Sequence, residues 1–219
     1  MDSWTLIRNR GVPIRAHITL LIEIPYFALV IASQFFPMAV LAGFEIEEMV
    51  LPPMVWGILL AMGLFACVAL HELGHALLAL RSGKKVRSIT LMLLGGVSQI
   101  EGETASHEAS IAVVGPIVSF FLAVLFYAGY RFLDVWPDLS FGFFYLSQFN
   151  AMIAVFNLLP AFPLDGGRVL RGLLSRRLGP ERGTSVAVTI GKSFAFLFFL
   201  VGLLSLNMIL LLISVFIYM

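Results

Sequence analysis

His71, Glu72 and His75 stand in the order His-Glu-x-x-His. On an α-helix, residues four apart lie one turn apart on the same face, so both imidazoles can reach one ion. Glu72 lies beside that face, where a carboxylate can take a proton from water activated by the ion. This is the pattern of zinc hydrolases. Here the three polar groups fall inside an apolar stretch running from about Pro53 to Leu80. A charge at the centre of a membrane span costs about 2.5–3.5 kcal/mol on insertion scales. Three such groups within five residues need a compensating partner, and a bound cation in a water-accessible cavity supplies one. A polar cluster joining helices, or a proton relay without metal, would use the same residues.

Two histidines leave a hydrolytic zinc site incomplete, because such sites have three protein ligands and an open position. Cys67 lies one turn before His71, but a small thiol in a span is ordinary packing. His17 opens the first apolar stretch, and His107 lies in a polar segment with Glu103 and Glu108. Asp165 is the better candidate. It follows NLLPAFPL (157–164) and precedes Gly166-Gly167, so two prolines and two glycines break the chain around it. Irregular backbone at membrane depth is tolerated only where it is buried in protein or lines a wet cavity. The plainer reading of Asp165 is a helix cap or turn residue.

These residues must be held by membrane helices. Of 219 residues, 60% are hydrophobic and only 12% charged, too greasy a balance for a water-facing surface. One cysteine excludes a disulfide scaffold, and a net charge of +1 argues against nucleic acid as partner. The reading is an all-α polytopic membrane protein with about six transmembrane helices and a small β-element between helices two and three. The stretches run from about His17 to Phe36, Pro53 to Leu80, Ser110 to Phe132, Phe141 to Leu159, Thr184 to Leu203 and Leu206 to Met219. The β-element, 85–103, is expected as two strands about a Gly95-Gly96 turn. An edge of it, at Gly95 and Gly96, could receive an extended substrate.

Twelve of the fourteen basic residues fall on one side if every stretch crosses once. They comprise Arg8, Arg10 and Arg15, the group from Arg81 to Arg87, and the group from Arg168 to Arg182. The positive-inside rule makes that side cytosolic, with both termini on it. Gly115 and Gly191, within spans, read as close helix packing. Lys192 lies mid-span, either paired inward, with Glu23 as a possible partner, or reaching to the interface. It receives no catalytic role.

Taken together, His71-Glu72-Leu73-Gly74-His75 and NLLPAFPLDG (157–166) resemble the two motifs of the site-2 protease family of intramembrane zinc metalloproteases. The resemblance runs from about Gly11 to the end, nearest the compact archaeal and bacterial branch. Gly115-Pro116 also matches, although Ser119 stands where that motif often has Asn. The resemblance implies one Zn2+ per chain held by His71, His75 and Asp165, Glu72 as general base, and Asn157 holding the substrate backbone. It implies a multi-pass protein of the cell membrane, acting on transmembrane protein substrates, with the 219 residues forming a single core domain. The cytosolic CBS-domain pair that many relatives carry after the last span is not within these residues, so a regulatory cytosolic domain would lie outside this chain. Two other readings use the same polar cluster: a peptidase working on peptide ends at the interface, and a membrane transporter of metal ions or protons.

Overall fold

The computed structural model describes residues 3–9, 12–92, 95–101, 105–132 and 136–218. Two strands, β1 (Ser3–Asn9) and β2 (Val12–His17), precede α1 (Leu20–Ser33) and α2 (Phe35–Leu41). A 3-10 turn at Ile46–Glu48 leads to α3 (Pro53–Arg81), followed by β3 (Lys85–Met92) and β4 (Gly95–Glu101). The remaining helices are α4 (Ala105–Phe132), α5 (Pro137–Asn157), α6 (Asp165–Leu178), α7 (Pro180–Leu204) and α8 (Met208–Tyr218).

Helices α3, α5, α7 and the Glu108–Phe132 part of α4 are each long and apolar enough to cross a membrane. Together α1 and α2 are long and apolar enough for a fifth, with a bend of 56° between them that fits a broken crossing or a re-entrant loop. Pro37, in the first turn of α2, has no N–H for the carbonyl of Ser33, and its ring crowds that carbonyl, so the helix cannot run straight through. The sixth apolar stretch is a helix of eleven residues. At 1.5 Å per residue it spans about 16 Å, half of a bilayer core. Leu206, at φ +51°, reverses the chain between α7 and α8. The Asn207 side chain then caps α8 by accepting from the N–H groups of Ile209 (3.0 Å) and Leu210 (3.1 Å).

The β-element is larger than the sequence reading anticipated. A four-stranded sheet in the order β1-β2-β3-β4 joins the N-terminal hairpin to the one after α3. Strand β2 runs parallel to β3 through Ile14–Ala16, and the outer pairs are antiparallel. Pro13, which has no N–H to give an interior ladder, lies just before the residues paired to β3. The Gly95-Gly96 turn is corrected: both glycines open β4, opposite Met92 and Leu91. Leu93 and Leu94, between the two strands, lie outside the described residues.

Two apolar cores hold the helices. One packs Ala28, Ile31 and Phe35 against Trp56, Leu60, Phe141 and Tyr145. Asp138 ties its rim, accepting from the backbone of Val50 (2.8 Å) and Leu51 (3.2 Å) and from Trp56 Nε1 (3.1 Å). The other gathers Ala161, Leu164, Ala195 and Ile217 and seats the loop 158–164 on α7 and α8. Gly191 allows this, since a Cβ there would press on Ala161 Cα at 3.3 Å. It therefore packs against a loop, where a helix was expected.

Candidate metal centre

Helix α3 starts with Pro53 at its first position, where a missing N–H is harmless, and ends at Arg81-Ser82 before Gly83, at φ +74°. His71 stands ten residues before Arg81, about 15 Å along the axis. His71, Glu72 and His75 are all buried there. Asp165 is the first residue of α6, delivered to the same place by the loop 158–164. Its side chain is 9% exposed. The backbone around it leaves no room for side chains: a Cβ on Gly166 would lie 2.3 Å from the Leu158 and Leu159 carbonyl oxygens, and one on Gly167 would lie 2.6 Å from the Ala161 carbonyl carbon.

Three side-chain atoms converge. Asp165 Oδ2 lies 3.1 Å from His71 Nε2 and 3.1 Å from His75 Nε2, and the two nitrogens are 3.3 Å apart. The opposite edges of both rings are anchored on α4. His75 Nδ1 donates to the Ile111 carbonyl at 2.8 Å, and His71 Nδ1 meets Ser119 Oγ at 2.9 Å. Because a carbonyl only accepts, His75 must carry its proton on Nδ1. In the neutral ring Nε2 is then a bare lone pair, facing a carboxylate oxygen and another imidazole nitrogen. A lone pair held 3.1 Å from a carboxylate oxygen is repelled unless a cation or a proton lies between them.

Zinc fits the triangle. Ligands held at 2.0–2.1 Å around a tetrahedral ion stand about 3.3 Å apart, and the observed edges are 3.1, 3.1 and 3.3 Å. A ligand nitrogen whose other ring N–H is held by the protein is the usual arrangement for metal-binding histidine. Asp165 supplies the third corner, a carboxylate oxygen against the two ring nitrogens. Its second oxygen, Oδ1, faces Arg168 Nη1 at 3.5 Å, which turns Oδ2 toward the histidines. A Glu72 carboxylate oxygen lies within 4.8 Å of the ligand atoms of His71 and His75, near enough to exchange a proton with water held there.

The other singled-out residues lie outside this triangle. Cys67 is buried one turn away with Asn150 beside its thiol. His17 Nδ1 is engaged with Thr19 Oγ1 (3.1 Å) ahead of α1. His107 belongs to the first turn of α4 and not to a loop; its side chain is outside the described residues. Asn157 closes α5, with its amide nitrogen donating to the Ile153 carbonyl at 3.0 Å. Lys192 is exposed, its ammonium 5.3 Å from the centre of the Tyr218 ring, and no ion pair with Glu23 exists among the described residues. Glu23 is buried on α1.

Sequence reading missed the residues that orient the ligands. The close packing expected of Gly115 is found, against both histidine rings, while the hydroxyl of Ser119, a departure from the motif, holds the far edge of the His71 ring. The legible signal was Gly115 and Ser119 one turn apart inside a span, the small and hydroxyl residues of a helix face that something approaches closely.

Comparison with known proteins agrees with this geometry. The chain matches Peptidase family M50 at residues 59–135 and 134–200. It is 36% identical over 216 residues to a zinc metalloprotease of Methanocaldococcus jannaschii, covering 99% of this chain and 58% of that protein. Stage IV sporulation protein FB of Bacillus subtilis is 30% identical over 118 residues, 52% of this chain and 40% of that protein. The chain thus spans little more than half the length, or less, of these relatives. Among solved structures, the site-2 protease from Methanocaldococcus jannaschii superposes with a TM-score of 0.65 at 35% identity, over 99% of this chain and 92% of that one.

Proposed function

Because the chain belongs to Peptidase family M50, we propose that it is an intramembrane zinc metalloprotease, hydrolysing peptide bonds within or near transmembrane segments of membrane-protein substrates. One observation carries the reading: His71 Nε2, His75 Nε2 and Asp165 Oδ2 meet within 3.3 Å of one another, beside Glu72 and inside a helix long enough to cross a bilayer.

In this reading His71, His75 and Asp165 hold one zinc ion per chain. Zinc, when bound, supplies a Lewis acid that brings the pKa of water toward about 7 and draws negative charge onto the scissile carbonyl oxygen. Glu72 would accept the proton from the attacking water as the new C–O bond forms and return it to the amine nitrogen, which then departs with the C–N bonding pair. The Ile111 carbonyl keeps His75 in the tautomer that offers Nε2, and Ser119 does the same for His71 when its hydroxyl accepts from Nδ1. Asn157 holds the substrate backbone, which requires it to release the Ile153 carbonyl or to use its own Oδ1.

A peptide bond in a transmembrane helix is hydrogen-bonded along the axis and must be unwound before attack. Unpaired backbone in lipid costs several kcal/mol per group. Strand β4 is terminal in the sheet order, so the edge that begins at Gly95 and Gly96 is placed to replace those bonds by strand addition. We orient the chain with α6 and the loop after α3 in the cytosol, following their arginines and lysines. The N-terminal hairpin shares that side through its pairing with β3, and α8 turns back toward it along α7. The 219 residues act as a single metalloprotease core in the cell membrane.

The test is cleavage of a single-span substrate by purified chain, with metal analysis. The expected result is one zinc per chain, activity lost to chelator, Glu72→Gln inactive with its metal retained, and Asp165→Ala without metal. Cleavage that persists in Glu72→Gln removes the mechanism. Moving the scissile bond outside the bilayer tests the interfacial peptidase, which the position of His71 along α3 disfavours. No observation supports the transporter, which predicts ion flux across liposomes and no proteolysis.

A further inference from the structure

Glu108 and Arg171 are joined in a bidentate ion pair: Arg171 Nε donates to Glu108 Oε2 at 2.9 Å, and Nη2 meets Oε1. Exposed pairs of this kind contribute little, but the Glu108 side chain is 3% exposed and the guanidinium engages both of its oxygens. The pair's location relates it to the metal centre. Glu108 lies one turn before Ile111 on α4, and the Ile111 carbonyl fixes His75. Arg171 lies on α6, the helix that begins with Asp165. The same guanidinium stands 5.5 Å over the ring of Phe162, in the loop that delivers Asp165. One arginine thus touches the helix that orients a histidine, carries the helix that presents the carboxylate, and covers the loop between α5 and that carboxylate.

We propose that the Glu108–Arg171 pair is a positioning device for the metal centre, setting the register of α6 against α4 and so the approach of Asp165 Oδ2 to the two histidine nitrogens. This rests on the reading of His71, His75 and Asp165 as metal ligands. A triangle with edges of 3.1–3.3 Å tolerates little sliding between the helices that build it. A one-residue slip along an α-helix moves a side chain 1.5 Å and turns it by about 100°, enough to remove the carboxylate from the site. A planar fork meeting a carboxylate fixes both distance and angle, which a lysine or a neutral amide does not.

The experiment measures metal affinity of the metal-stripped chain by competition with a chromophoric chelator, and the visible spectrum of the cobalt form, which reports coordination geometry apart from activity. Glu108→Gln and Arg171→Gln are each expected to weaken metal binding about 10–100-fold, as for other groups that support ligands from outside the coordination sphere. Arg171→Lys falls between them and wild type, and the double variant is no weaker than the poorer single one. Glu108→Asp and Arg171→Lys answer the same question where the amide variants do not fold. Asp138→Asn, at the other apolar core, serves as a control: it should lower the thermal midpoint while affinity stays unchanged. Wild-type affinity in Glu108→Gln, with Asp165→Ala losing metal, overturns the positioning role alone. Equal loss of affinity in Asp138→Asn and Glu108→Gln overturns it too, since affinity would then follow stability. Wild-type affinity in Asp165→Ala and His71→Ala would instead sink the metal centre, and this proposal with it.

Discussion

A Cβ on Gly115 would lie 2.2 Å from His75 Nε2 and 2.5 Å from His71 Nε2. The backbone of α4 is therefore one wall of the triangle, close enough that only hydrogen can stand there. Both rings are anchored at their far edges, by Ser119 and by the Ile111 carbonyl, so neither can swing aside to admit a methyl group. Helix propensity favours Gly115→Ala, but its methyl group has to push the rings or the two helices apart, an overpacking that costs about 1–3 kcal/mol. It should weaken metal binding by about 100-fold, the upper end of what loss of ligand support costs. Metal content after purification checks this, and a fully loaded Gly115→Ala chain would show that the rings have room the geometry denies them.

Ser119 tests the tautomer argument separately. With Ser119→Ala, His71 Nδ1 loses its partner in a buried site, and nothing then favours the tautomer that frees Nε2. We expect affinity for zinc to fall about 10-fold, with cleavage at saturating metal recovering most of its wild-type rate. Titrating activity against free zinc separates this from a folding defect, which added metal would leave in place.

The convergence of His71, His75 and Asp165 was legible because each part carries a local signal. His71, Glu72 and His75 are spaced by one helix turn, and Asp165 is announced by Pro160, Pro163, Gly166 and Gly167. Ser119, the Ile111 carbonyl and Gly115 were not legible as supports, because their meaning comes from another helix lying against them. Most spans could be read from apolar length alone. The N-terminal hairpin could not: β1 and β2 carry arginines that served equally well as a charge flank, and the pairing of β2 to β3 spans more than seventy residues of chain. The break between α1 and α2 was hidden for the opposite reason. Pro37 sits in a run apolar enough to read as continuous, and the 56° bend changes no side-chain pattern.

Asp138 predicts a stability effect without a catalytic one. Its carboxylate accepts from two backbone N–H groups and the Trp56 indole, linking α5 to the segment leading into α3. Hydrogen bonds to a charged group contribute about 1.5–3 kcal/mol each before relaxation, and exposure at this rim reduces that. Asp138→Ala should lower the thermal midpoint by several degrees while kcat/KM for cleavage, measured well below that midpoint, stays within about twofold. A specific loss of kcat at low temperature would mean that the distal core communicates with the metal centre.

Strand β4 permits a test of substrate addition that separates backbone from side chain. Consecutive residues of a strand aim their N–H groups at opposite edges, so of Val97→Pro and Ser98→Pro one removes a bond to β3 and the other a donor on the outer edge. Proline is tolerated on an edge strand when its missing N–H faces outward. The inward substitution should destabilise the sheet, whose register runs through Val97 opposite Thr90 and Ser98 opposite Ile89. The outward one should leave the fold intact and lower kcat/KM about tenfold, the worth of one backbone hydrogen bond of about 1.4 kcal/mol. Its effect should also vanish on a short peptide that needs no unwinding, because such a substrate has little backbone to re-pair. Unchanged cleavage of the transmembrane substrate by both variants would remove β4 from the path, and the cost of unwinding would then have to be met by groups lining the helices themselves.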